Sequence, residues 1–239
     1  MVAPATYVAA VLFLLLMGFL YLFLLEDFSR VPQDSLPSTA FFSVFWLPVF
    51  FMVPLLTMKS IAEERNSGTL ETLMTTSASP FEVVLSKFLG AYCFYCFLWG
   101  VTISFPLIVH ATLPASSIDP RLLDMASWTG GYLFVALSGV LYIALGIFCS
   151  SLTRSQLVAG MLSFSLLFMI IIGGRLLAEL PLLEISSFQF LNEPIKTLQV
   201  FSQLEDFSRG IIDSRPFFLY ISSGFLFLGL TSLWVEAKA

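Results

Sequence analysis

The sequence predicts an all-α integral membrane protein of six spanning helices, with a polar connector carrying a short helix between spans two and three and an amphipathic segment before span six. Three observations carry this expectation. Hydrophobic residues make up 58% of the 239-residue chain and charged residues 11%, against roughly 45–50% and 25% in soluble domains. The charges cluster, leaving several uncharged runs close to the ~20 residues that a helix needs to cross a hydrocarbon core about 30 Å thick. The 26 Phe residues add apolar surface that a water-facing globule has nowhere to put.

The first span runs from Thr6 to Leu25. It is longer than the apolar core of a secretory signal and no basic stretch precedes it, so it is expected to be retained. Pro32 and Pro37, in the loop from Glu26 to Ser38, prevent the helix from continuing. The second span covers Ala40 to Met58 and contains Pro48 and Pro54. Bilayer helices tolerate proline when neighbours satisfy the freed carbonyls, so a kink is expected.

The third span, Phe88 to Val109, belongs to a helix that starts well before it. Ser79 reads as its N-cap, Pro80 as the first helical residue and Glu82 as the partner in a capping box. Spans four (Gly130 to Cys149) and five (Gln156 to Gly174) are joined by Ser150 to Ser155 alone, which makes them an antiparallel hairpin. The sixth span covers Phe217 to Leu233. An even number of spans returns both termini to one side, and the whole of 1–239 reads as one transmembrane domain.

Several function classes fall away. The net charge of -5 leaves no basic footprint, so no nucleic acid is expected as a partner. The interiors of the spans carry no Asp, Glu, Lys, Arg or His, whereas ion-coupled carriers place such groups at membrane depth. His110 is the one histidine, so no histidine pair exists to hold a metal. Cys93, Cys96 and Cys149 sit inside apolar runs and read as packing residues, not as a redox or zinc pair. No Gly-x-x-x-x-Gly-Lys-Ser/Thr phosphate loop is present. If ATP drives this protein, another chain binds it, and the chain is expected to be no enzyme and to hold no cofactor itself.

The stretch from Ile61 to Met74 carries the remaining signal. Gly68 is suited to end the helix descending from span two, Thr69 to cap a new one, and Glu71 to sit in its positively polarised first turn. Leu70, Leu73 and Met74 then fall at i, i+3 and i+4 and form one apolar edge. Periodicity alone leaves two uses for that edge: docking into a partner's groove, or packing on the protein's own bundle or in the headgroups. Further on, Val200, Leu204, Phe207 and Ile211 are spaced 4, 3 and 4 apart, with Arg209 and other polar residues on other faces. An amphipathic helix is the expected result. It either lies at the interface or simply covers the bundle.

The run from Glu63 to Met74, followed by Ser79 to Phe88 with Lys87 leading into span three, resembles the signature of ABC-2 type permeases. In that family Glu-(Glu/Arg)-x-x-Gly-Thr-(Leu/Ile/Val)-Glu-x-Leu links spans two and three. Leu204 to Asp213 is similar to a block of the gliding-motility-associated branch, and Ser150 to Gln156 resembles the family's turn between spans four and five. The resemblance implies a coupling helix on the cytoplasmic side, with Glu64, Arg65, Gly68, Thr69, Leu70, Glu71, Leu73 and Met74 docking on a separate ATP-binding subunit that holds ATP and Mg²⁺. It implies pairing with a second permease copy or a related permease, in the bacterial inner membrane, with both termini cytoplasmic and 175–216 outside, where the amphipathic helix would form part of a re-entrant gate. The alternative use of such a domain is a membrane scaffold that transmits the ATPase's motion to envelope machinery. Charge does not choose the orientation: Lys59, Arg65, Lys87, Arg154 and Lys238 lie on one side, and Arg30, Arg121, Arg175, Lys196, Arg209 and Arg215 on the other. Ser77 and Ser86 depart from the proline and glycine common in the family, and Met1 to Ala5 is shorter than its elbow helix.

Overall fold

A computed structural model describes residues 4–30, 37–70, 79–112, 124–178 and 199–238. Among them lie six helical segments long and apolar enough to cross a membrane. Span one is α1 (Pro4–Arg30). Span two is split into α2 (Pro37–Ser43) and α3 (Trp46–Thr57), and a connector helix α4 (Ala62–Ser67) comes after it. Span three is α5 (Pro80–Val101) continued by α6 (Ser104–Thr112).

Span four is α7 (Met125–Leu152). Span five starts as α8 (Gln156–Phe168), passes through a π-helical turn at Met169–Gly173 and ends as α9 (Gly174–Ala178). The amphipathic helix is α10 (Val200–Ser208) and span six is α11 (Ser214–Glu236).

Proline sets both mid-span breaks. Pro48 has no N–H to give to the carbonyl of Val44, so the chain breaks at 44–45 and the Leu47 amide takes that carbonyl at 3.2 Å. Pro106 does the same to Thr102, whose carbonyl accepts from the Phe105 amide at 3.1 Å. The expected kink of span two is therefore a break one turn ahead of Pro48, while α3 runs through Pro54 unbroken. Span three, expected to be continuous, is also broken. Its start obeys the expected chemistry: the Ser79 hydroxyl accepts from the Glu82 amide, and the Glu82 carboxylate accepts from the Ser79 amide at 2.8 Å.

Span four is the axis of the bundle. Of its most apolar window 78% is buried, against 22% for spans one and five, and it packs on spans two, three, five and six and on α10. Its glycines permit this. A Cβ on Gly130 would lie 1.9 Å from the carbonyl oxygen of Phe207, and one on Gly131 would lie 2.2 Å from the ring of Phe42. Span four also extends beyond its expected limits at both ends. Asp124 caps it, accepting from the Ser127 amide at 3.3 Å, and Ser150 and Ser151, expected in the turn, are helical. Aromatic side chains fill the interior, with Phe134 edge-on to Phe45 and Tyr220 at centroid distances of 5.7 and 5.9 Å. The three cysteines are free thiols, and Cys93 is exposed on the outside of its helix, not packed inside.

Candidate functional site

The end of the bundle that carries α4 holds the Glu64–Lys87 ion pair and the Ser79–Glu82 capping box. Between α3 and α4 the helix is interrupted, and the Ile61 and Ala62 amides and the Met58 carbonyl turn to a partner from another span. Ser150, near the end of span four, supplies them: its hydroxyl accepts from the Ile61 amide at 3.1 Å and the Ala62 amide at 3.0 Å, and donates to the Met58 carbonyl at 3.1 Å. One side chain thereby satisfies three main-chain groups, which would be costly to leave unmade in a buried place.

On α4 two of the expected docking residues turn toward the bundle. Glu64 Oε1 accepts from Lys87 Nζ at 2.5 Å, tying α4 to the start of span three, with both side chains partly buried. Glu64 Oε2 is buried without a hydrogen-bond partner among the described residues. Arg65 donates through Nη1 to the Ser151 carbonyl, at the open C-terminal end of span four, where helix carbonyls favour a cation. Gly68 adopts φ 72° and its amide donates to the Glu64 carbonyl, ending α4 as a left-handed cap. The Thr69 hydroxyl turns back to Ser67 Oγ at 2.8 Å.

The chain then reverses, and Leu70 is only 4% exposed, inside the apolar core. Of the two uses that periodicity leaves open, Leu70 shows packing on the protein's own bundle, toward which the chain turns after the left-handed Gly68. Among the described residues from 61 to 70, the exposed ones are Glu63 and Asn66 to Thr69, none of them apolar in side chain beyond glycine. Glu71, Leu73 and Met74 lie outside the described residues. Beside α4, a shallow hollow of about 390 Å³ is lined by Asn66, Arg154, Ser155 and Gln156, so the connector and the turn between spans four and five share one face.

The sequence model of the ABC-2 family transporter proteins matches residues 26–233, nearly the whole of this arrangement. The chain belongs to the ABC-2 transporter family. It is therefore a multi-pass membrane protein and the permease component of an ABC transporter, a family whose members work with an ABC ATP-binding subunit and are typically not catalytic themselves. A comparison with curated proteins found no match.

At the other end of this permease, α10 lies across span four and α2. Val200, Leu204 and Phe207 are buried as their spacing requires, together with Gln203, which accepts from the Tyr220 hydroxyl of span six at 2.7 Å. Ile211 does not continue the stripe. Gly210 at φ 78° stops the helix, the Gly210 amide donates to Phe207 O at 3.0 Å and the Ile211 amide to Asp206 O at 2.9 Å, which is the Schellman arrangement. Ile211 is thrown outward, 58% exposed. Arg209, the residue at the cap, pairs with Glu205 on the exposed face.

Sequence reasoning missed Ser150 and Ser151 as anchors because small hydroxyls near a span end carry no distinguishing signal. It also missed Arg175, whose guanidinium lies 5.3 Å from the centre of the Phe201 ring on α10.

Proposed function

We propose that this permease docks its ATP-binding subunit on the face formed by α4, the residues after Gly68 and the turn between spans four and five. ATP and Mg²⁺ are held by that partner, and its closure on binding ATP moves the permease between two arrangements. The single observation that carries this reading is the bracing of α4: Ser150, Lys87 and Ser151 link the connector to spans three and four. A push on the connector therefore reaches the central span through short polar contacts rather than through a slack loop.

The reading places this face and both termini in the cytoplasm of a bacterial inner membrane. It pairs the permease with a second copy or a related one, with membrane lipid around them. The blocks Glu63 to Met74 and Leu204 to Asp213 favour the gliding-motility-associated branch. The uncharged, aromatic-rich spans fit an apolar or amphiphilic substrate.

Leu73→Asp tests the docking. Removing an apolar anchor from the centre of an interface costs about 2 kcal/mol or more, roughly a thirtyfold loss of affinity, and the substitution lies outside every span. The expected result is normal membrane abundance with ATPase lost on detergent purification. Normal abundance with full ATPase retention and full ATP-dependent activity would overturn the reading. ATPase coupling without solute or lipid flux in reconstituted vesicles would turn it into the scaffold.

A further inference from the structure

The helix α10 is set into the bundle, not laid on its end. Phe207 packs on Phe134 of span four at 5.6 Å and on Phe217 of span six at 5.9 Å, and Gln203 meets the hydroxyl of Tyr220. Phe134 lies about 13 Å along span four from Met125, and Tyr220 about 9 Å along span six from Ser214. Span four has 28 residues, so its ~42 Å exceeds a hydrocarbon core of about 30 Å. Shared between the two ends, the excess leaves roughly 6 Å outside, and the seat of α10 falls within the hydrocarbon depth.

The face of α10 turned away from the bundle is nevertheless polar. Ser202, Glu205, Asp206 and Arg209 are exposed, and the paired side chains of Arg209 and Glu205 remain 62% and 53% open. Against lipid tails such a pair would be expensive, whereas in water it costs almost nothing. Span two makes a similar demand at the same level. Its helix is broken at 44–45, where Phe42 packs on Tyr132 at 5.0 Å and Phe45 on Phe134 at 5.7 Å. Irregular backbone at membrane depth persists only where protein buries it or a water-filled cavity borders it. Phe45 is buried, but Ser43, on the other side of the break, is exposed.

Both demands meet in one hollow of about 560 Å³ between α2, the end of span five and α10, lined by Thr39, Ser43, Gln199, Ser202, Arg175 and Glu205. At ~30 Å³ each it has room for on the order of ten water molecules. Its charges are already engaged, Glu205 by Arg209 and Arg175 over the Phe201 ring, so the hollow is polar without offering a free charge. The depression of about 620 Å³ between α1 and α6 differs in kind: lined by Leu14, Leu15, Phe19 and Phe105, it suits lipid tails. We propose that the hollow beside α10 is a water-filled vestibule, open at the end of the bundle away from α4, that carries water and small hydrated solutes down to Ser43 beside the break in span two. This is a statement about hydration and depends neither on the orientation nor on the docking proposed above.

The test reads water access by cysteine chemistry. The full chain, with Cys93, Cys96 and Cys149 replaced by Ala, is embedded in nanodiscs so that both faces are open. Ser43→Cys, Thr39→Cys and Ile221→Cys are then reacted with a methanethiosulfonate that bears a trimethylammonium charge. Ile221 is the comparison because it is level with Tyr220 and exposed between Phe218 and Phe225 on the apolar outside of span six. Thiols react as thiolates, which form in water and not among lipid tails, so Ser43→Cys and Thr39→Cys are expected to react roughly tenfold or more faster than Ile221→Cys. Adding Ser202→Trp, at an exposed position of the hollow, should slow Ser43→Cys by a similar factor at unchanged melting temperature. Thr39→Cys supplies a second site should Ser43→Cys disturb the end of α2. Rates at both positions no faster than that of Ile221→Cys, or rates indifferent to Ser202→Trp, would overturn the vestibule. No ATPase takes part in the measurement, so failure here leaves the docking proposal standing, and failure of docking leaves this one.

Discussion

At the residue scale, the α4 end is held by groups whose removal has unequal consequences. Lys87 neutralises a carboxylate of which one oxygen is already buried without a partner among the described residues. Lys87→Met keeps the stem volume and strips the charge, leaving Glu64 partly buried and unpaired. A buried charge that loses its partner costs about 3–5 kcal/mol, and exposed pairs at most about 1. With these side chains 20% and 30% exposed, a loss between those limits, ~2 kcal/mol, is expected. It should appear as a lower melting temperature of the purified protein. Adding Glu64→Gln removes the stranded charge and should recover most of that loss. If the double variant melts no higher than Lys87→Met, the pair is not what anchors α4.

At the element scale, two helices meet with no side chain between them. The backbone of α10 at Phe207 rests on Gly130 of span four so closely that a Cβ would come within 1.9 Å of a carbonyl oxygen, and a backbone group cannot swing aside as a side-chain end can. Gly130→Ala must lift α10 off the bundle or shift span four. Because span four is packed on all sides while α10 is tied to span six by Gln203 and Tyr220, α10 is the element that gives way. Hydrogen exchange at amides 203–209 should accelerate by an order of magnitude or more, while amides 135–150 stay protected. Unchanged exchange in α10 would show that its seat does not depend on this contact. Gly139→Ala, against the end of the Tyr95 ring, should be milder, since a ring can shift.

At the scale of the whole molecule, the proposed orientation has a direct readout. Ser67 and Ser202 are exposed at opposite ends of the bundle, and the native cysteines are confined to spans, where a charged, membrane-impermeant maleimide reaches them poorly. Ser202→Cys is therefore expected to label in intact spheroplasts, and Ser67→Cys only after permeabilisation. The reverse pattern would invert the topology and remove the docking face from the cytoplasm.

Much of this molecule was legible in the sequence because the bilayer imposes a single requirement on every segment that crosses it. Length and hydropathy placed all six spans, the box of Ser79 and Glu82 placed the start of span three, and the spacing of Val200, Leu204 and Phe207 placed α10. Gly68 announced the end of α4, since few other residues adopt its backbone. These are local signals, written within a few residues of the feature they specify. The features that only the tertiary structure decided depend on partners far along the chain. Leu70 lies on an apolar edge whose use periodicity leaves open, and it is buried where the chain turns after Gly68; Ile211 fits the stripe of α10 and is expelled because Gly210 ends the helix first. Ser150 serves backbone groups nearly ninety residues away, and Arg175 meets the ring of Phe201 because the end of span five packs beside α10. A bilayer tests each span for being apolar, which sequence states directly. Which face of a span meets which neighbour is settled by close packing among all of them at once.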